Sequence, residues 1–220
     1  MKKVFRGDND AVAHYWANKT QSEATNGGNF FYENDIIYSY GRHFQIAKHV
    51  INEERERAVL FTQQTYSNTT AKHISIVKQA CNHLDVIYCK SPDSTHDANF
   101  AHWLSMAEGI AAQLLKAKKP EKYLNELNYI KGYAEKYSQF FKLTIPAALQ
   151  SVLNIENKDQ YKTYSENKQA ILDRERKEGE ARAKKEHAKH LKKWLAGETN
   201  RLYTRFHRKR NKNRVSHIPD

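Results

Sequence analysis

The stretch between Leu172 and Leu191, DRERKEGEARAKKEHAKH, contains no large apolar side chain. Such a segment has nothing to bury, so it cannot be part of a core; it is an arm or an exposed helix. Its acidic and basic residues recur three and four positions apart. In an isolated helix each such pair is worth about 0.2–0.5 kcal/mol, so the helix is the better expectation. Leu191, Trp194, Leu195, Leu202 and Phe206 then restore an apolar stripe, interrupted by Gly197, and the closing VSHIPD reads as a disordered end. Residues 158–220 are therefore expected to be a charged, basic helical arm added to a body that must fold without them.

Charge points the same way. The formal net charge is +12, and residues 168–214 alone hold 17 Lys/Arg against 6 Asp/Glu, a net of +11. A basic block attached to a nearly neutral body is the electrostatic footprint of a polyanion partner. The candidate nucleic-acid contacts are Lys184, Lys185, Lys192 and Lys193, then Arg201, Arg205, Arg208, Lys209, Arg210, Lys212 and Arg214. Trp194, Tyr203 and Phe206 interleave with them, a mixture suited to single strands or structured RNA as well as duplex DNA. A solvated face and an acidic protein partner are the competing readings of the same residues.

The body divides by period. Residues 1–97 read as a small, mainly antiparallel α+β domain. DAVAHYWAN (10–18) has helical spacing with Asp10 as an N-cap, and FFY (30–32) and IIYSY (36–40) flank a turn at Glu33-Asn34-Asp35. HFQIAKHV (43–50) fits a strand or a short helix, AVLFTQQ (58–64) and DVIYCK (85–90) are strands, and Ile74, Val77 and Cys81 continue a helix to about residue 82. From residue 98 to 157 the apolar spacing becomes helical throughout. Phe100, Trp103, Ala107 and Leu114 mark one helix and Leu127, Ile130, Ala134 and Tyr137 a second, while Pro146 opens a third. This helical region either packs on the sheet or forms a hairpin of its own. The fold class expected is thus α+β, followed by a helical region and a long basic C-terminal helix.

Two polar clusters carry the candidate chemistry. YSNTTAKH (66–73) places N-cap residue types directly before a periodic helix, so Ser67, Asn68 or Thr69 can serve as the cap. The same geometry makes an anion cup, because free N–H groups and a partial positive charge meet there; Tyr66, Ser67, Thr69, Thr70 and Lys72 are its candidates. The glycine spacing of a phosphate-binding P-loop is missing. In YSYGRHF (38–44), Tyr40 and Arg42 join the ligand-binding candidates, while Tyr38 and Phe44 also suit a core. His14, His43 and His73 fall in separate elements; were they to converge, two could act as acid and base on a phosphodiester beside Lys72. No histidine or cysteine spacing resembles a metal motif, so neither metal nor cofactor is expected. Cys81 and Cys89 read as reduced thiols, MKKVFRGDND has no apolar leader segment, and no run approaches the ~20 residues of a membrane span. The expectation is a cytoplasmic protein with no membrane partner.

VAHYWAN, NGGNFFYENDIIYSYGRHFQIAKHV and YSNTTAKH together resemble a family of uncharacterised bacteriophage- and plasmid-encoded proteins. The likeness rests on His14 and Trp16, on Gly28-Asn29-Phe30, on Tyr38 to Gly41 with His43 and Phe44, and on Tyr66, Ser67, Thr69, Thr70, Lys72 and His73. It covers about the first 80 residues and departs at Gln45, where the family often has proline. The resemblance implies a mobile-element origin and a bacterial host, and brings no activity with it. The function expected is nucleic-acid binding through the basic arm. The alternatives are an inhibitor that binds a host defence protein and a nuclease or phosphodiesterase centred on His43 and His73.

Overall fold

The computed structural model describes residues 3–114 and 116–199. It divides into two units, Met1–Tyr164 and Ser165–Asp220. The first is an α+β body built on one seven-stranded sheet whose spatial order is the sequence order. Its elements are β1 (Lys3–Val4), α1 (Asn9–Ala17), β2 (Glu23–Thr25), β3 (Phe30–Glu33), β4 (Ile36–Ser39), β5 (Gln45–Ile51), β6 (Arg57–Thr62), α2 (Asn68–Ala80), β7 (Val86–Cys89), α3 (His96–Leu114), α4 (Glu121–Phe141) and α5 (Ala147–Leu153). A last helix, α6 (Lys158–Leu195), begins in the body and supplies the second unit.

β2 through β6 pair antiparallel, while β1/β2 and β6/β7 are parallel. Each parallel pair is joined by a helix, α1 or α2. Four antiparallel steps leave β2 and β6 pointing the same way, and both crossovers step in the same direction across the sheet. One handedness of crossover therefore places both helices on one face. Val12, Ala13 and Trp16 of α1 and Val77 of α2 share a core there with Phe30, Tyr32, Ile46, Val59 and Phe61. The alternate residues of the last two strands, Ala58, Leu60, Ile87 and Cys89, point to the opposite face and meet Phe100, Trp103, Leu127, Tyr137 and Leu149. The region 98–157 is thus packed on the sheet, one of the two arrangements its sequence left open.

Local chemistry fixes the details. Asp8, not Asp10, caps α1, accepting the Ala11 N–H at 2.8 Å; the helix starts at Asn9, two residues earlier than a cap at Asp10 would place it. Asn34 turns the β3–β4 hairpin with φ 52°, a left-handed conformation asparagine tolerates. HFQIAKHV resolves as strand β5, because Ala47 to Ile51 pair with Arg57 to Phe61. β1 and β2 escape the sequence pattern, being two and three residues long. Among the described residues no helix is long and apolar enough to cross a membrane.

Candidate functional site

β4 and β6 run parallel in space, so their carboxyl ends lie at one rim of the sheet with the amino end of α2. Three of the quoted motifs converge there. The Tyr40 N–H donates to the Asn29 carbonyl (2.7 Å), tying the end of β4 to the NGGN turn. Asn26 shapes that turn, its Oδ1 accepting from the N–H groups of Gly28 (2.8 Å) and Phe30 (3.2 Å). The Phe44 ring meets Tyr66 edge-on at 5.1 Å, and Phe30 lies 4.6 Å from the His73 ring.

Ser67 is the N-cap of α2, its hydroxyl accepting from the Thr70 N–H at 3.2 Å and contacting the Thr70 hydroxyl at 3.0 Å. One helical turn later His73 enters the core and is 3% exposed. Its Nδ1 is 2.7 Å from Ser39 Oγ, itself wholly buried. Burial holds the His73 pKa below the ordinary histidine range, so the ring is neutral at pH 7. Ser39 therefore fixes the ring's orientation; buried as it is, its hydroxyl is closed to substrate.

The rim is strained where it turns. Tyr40 has φ 60° and Gly41 φ 125°. A bulky residue in the left-handed region costs about 1 kcal/mol or more and persists only where its surroundings impose it. A Cβ at Gly41 would sit 3.0 Å from His43 Nδ1. This turn holds the Tyr40 ring half-exposed, 6.2 Å from the His73 ring.

The candidate residues accordingly separate into two groups. Ser67 and Thr70 are used in capping. Arg42 is bound by Glu33 through Nε (2.8 Å) and Nη2 (2.6 Å) and lies over the Phe31 ring. Tyr38 and Phe44 are 7% and 5% exposed and belong to the body. Tyr40, Tyr66, Thr69 and Lys72 remain at the surface, and Thr69 and Lys72 have no side-chain partner among the described residues. The three histidines do not form a cluster. His73 is buried, His43 is exposed beside Gly41, and His14 is exposed on α1 against Asn18. No hydrogen bond or ring contact joins any two of them among the described residues. Among those residues, too, no group of three or more His, Cys, Asp or Glu side chains could hold a metal ion. Cys81 and Cys89 are buried thiols whose pKa values burial pushes up to about 12.

Ser39 and Phe30, the partners of His73, did not stand out in the sequence as site residues. Both lie inside the motifs NGGNFFYEND and YSYGRHF, but strand register is needed to aim them at α2. A second polar group was also missed. Trp103 Nε1 donates to Gln63 Oε1 (3.0 Å), Asn99 Nδ2 to the Tyr137 hydroxyl (2.9 Å), and Tyr137 contacts His96 Nδ1 at 2.8 Å. It joins the ends of β6 and α3 to α4 and serves the packing of the second face.

In the second unit, residues 165–195 of α6 are helical and bury no side chain. Arg176 pairs with Asp173 (3.3 Å) and Arg182 with Glu178 (3.6 Å). Lys184, Lys185, Lys189, Lys192 and Lys193 are exposed and meet no carboxylate among the described residues. At 100° per residue, Arg182, Lys185, Lys189, Lys192 and Lys193 share one helix face, with successive rises of about 4.5 to 6 Å along the stripe up to Lys192. Arg201, Arg205, Arg208, Lys209, Arg210, Lys212 and Arg214 lie outside the described residues, as does the expected disordered end. No family model matches the chain, and neither a curated protein nor a solved structure is significantly similar to it.

Proposed function

We propose that the protein binds nucleic acid, with the cationic face of α6 as its main phosphate-contacting surface and the strained rim around Tyr40 and Tyr66 as the part that discriminates among ligands. The observation that carries this reading is the stripe of lysines without carboxylate partners. Had neighbouring acids neutralised them, the arm would be a salt-bridged spacer; instead α6 from Arg182 to Leu195 holds six Lys/Arg and one acid, Glu186, and the pairing at Arg182 is a long one. Rises of 4.5 to 6 Å let successive cations meet phosphates every one or two nucleotides, since one strand advances about 3.4 Å per nucleotide. At the rim, the exposed Tyr40 and Tyr66 offer stacking surfaces, and the exposed Lys72 of α2 offers a phosphate contact. The mobile-element origin implied by the motifs fits a protein acting on nucleic acid in a bacterial cytoplasm.

The buried, Ser39-bound His73 and its separation from His43 and His14 weigh against phosphodiester cleavage. The test is retardation of DNA and RNA fragments by the full chain and by a chain lacking residues 184–214. The proposal expects binding that weakens steeply with salt and disappears with the deletion, and no cleavage. A host-protein inhibitor would instead retain a partner from bacterial lysate after nuclease treatment and show no retardation.

A further inference from the structure

We propose that the free edge of β7 is a docking site for an acidic peptide in extended conformation, which adds to the sheet as an eighth strand. β7 ends the strand order, so one side of its backbone has no strand beside it. Which groups face that side follows from the ladder. The Val59 N–H donates to the Asp85 carbonyl and the Gln63 N–H to the Cys89 carbonyl, both at 2.8 Å. Asp85, Ile87 and Cys89 therefore address β6, and Val86, Tyr88 and the N–H of Lys90 address the open side, the Lys90 carbonyl accepting from the Thr62 hydroxyl of β6. Two outward groups are already met by side chains. Lys136 Nζ donates to the Val86 carbonyl (2.9 Å), and the Lys90 N–H donates to Asn99 Oδ1 (3.0 Å). Between these stops, the N–H and C=O of Tyr88 and the N–H of Val86 have no protein partner among the described residues. A residue of an added antiparallel strand can exchange both bonds with Tyr88.

The space for that strand exists. A groove of ≈ 320 Å³ lies beside this edge, lined by Val86, Tyr88, Tyr129, Gly132, Tyr133 and Lys136. Gly132 sits inside α4, where glycine costs about 0.5–1 kcal/mol against alanine, and a Cβ built on it meets nothing within 4 Å. Its missing side chain keeps the groove open. Tyr129 stands at the wall 69% exposed, and Tyr88 lies 5.5 Å from Tyr133.

Charge selects the occupant. Lys78 holds its ammonium 5.9 Å from the Tyr88 ring, and the Lys136 ammonium lies at one stop. Asp85, paired with Lys136 at 2.6 Å, offsets one of the two, and Lys78 has no carboxylate partner among the described residues. A second copy pairing edge to edge would bring these lysines together and is disfavoured. Nucleic acid has no amide ladder to offer Tyr88. A peptide alternating acidic and apolar residues satisfies both the ladder and the lysines.

The experiment uses the full chain, isotopically labelled, and the blocked peptide Glu-Val-Glu-Val-Glu-Val-Glu as probe. The peptide is expected to shift the Tyr88 amide resonance and to slow its hydrogen exchange. Methylating alternate peptide nitrogens, or replacing its glutamates by lysine, is expected to weaken binding at least tenfold. Gly132→Leu fills the groove and should weaken binding at least tenfold with no loss of melting temperature. Lys78→Glu, an exposed substitution, gives a second variant should Gly132→Leu disturb the fold, and should weaken binding at least threefold. The proposal is overturned by a Tyr88 amide unmoved at millimolar peptide, by equal binding of the methylated peptide, or by shifts confined to residues 182–193 of the arm.

Discussion

Acidification should destabilise the body through His73, and the sign and window follow from its surroundings. The ring is 3% exposed, bonded to Ser39 and packed on Phe30, and burial lowers its pKa. In the unfolded chain the same ring titrates near about 6.5. Below that pH the unfolded state takes up a proton that the native state refuses, so falling pH stabilises the unfolded state relative to the native one. Stability from this one group declines by up to about 1.4 kcal/mol per pH unit, from about pH 6.5 down to the depressed native value, and is level above it. His49, desolvated against Trp16, and His102, desolvated near Lys90, shift in the same direction and steepen the decline. Urea melts at pH 7.5, 6.5 and 5.5 on wild type and His73→Gln measure it. The variant is less stable at pH 7.5, and its loss between pH 6.5 and 5.5 should be smaller, by at most about 1 kcal/mol. Equal losses in both proteins would show that His73 titrates as in the unfolded chain, and would refute the argument from its burial.

Three further outcomes follow from the same geometry. Gly41→Ala forces a side chain into φ 125° and to within 3.0 Å of His43, and should cost about 1–3 kcal/mol in chemical denaturation. Ser67→Ala removes the cap of α2 and should cost about 1 kcal/mol, read by the same assay, without changing nucleic-acid affinity by more than about twofold. Cys81 and Cys89, buried with pKa values near 12, should react with a thiol reagent at pH 8 only as fast as the body unfolds, and at once in denaturant.

Much of the fold was legible because its signals are local. The β3–β4 hairpin announces itself through aromatic and β-branched runs on either side of Glu33-Asn34-Asp35, and α3 and α4 through apolar positions three and four apart. The arm was legible from the absence of anything to bury between Leu172 and Leu191. β1 and β2 were not, since Lys3–Val4 and Glu23–Thr25 are too short for a period and exist only because neighbours pair with them. The cap of α1 was misplaced by two residues because Asp8 and Asp10 are equally good caps, and only the path of the chain chooses between them. At the site, composition marked Ser67, Thr69, Thr70, Lys72 and His73 as one polar group. It could not say that Thr70 and His73 turn inward while Thr69 and Lys72 turn out. That division depends on which face of α2 meets the sheet, and the partners that receive His73 there, Ser39 and Phe30, lie thirty or more positions away.

The most direct measurement is the salt dependence of nucleic-acid binding by wild type and by Lys185→Gln/Lys189→Gln/Lys192→Gln/Lys193→Gln, followed by anisotropy of a labelled duplex between 50 and 200 mM salt. Each phosphate contact contributes about 0.9 to the slope of log affinity against log salt on a duplex, so removing four should flatten that slope by about 3 to 4. Identical slopes for the two proteins, or an absence of binding by wild type at 50 mM salt, would contradict the account.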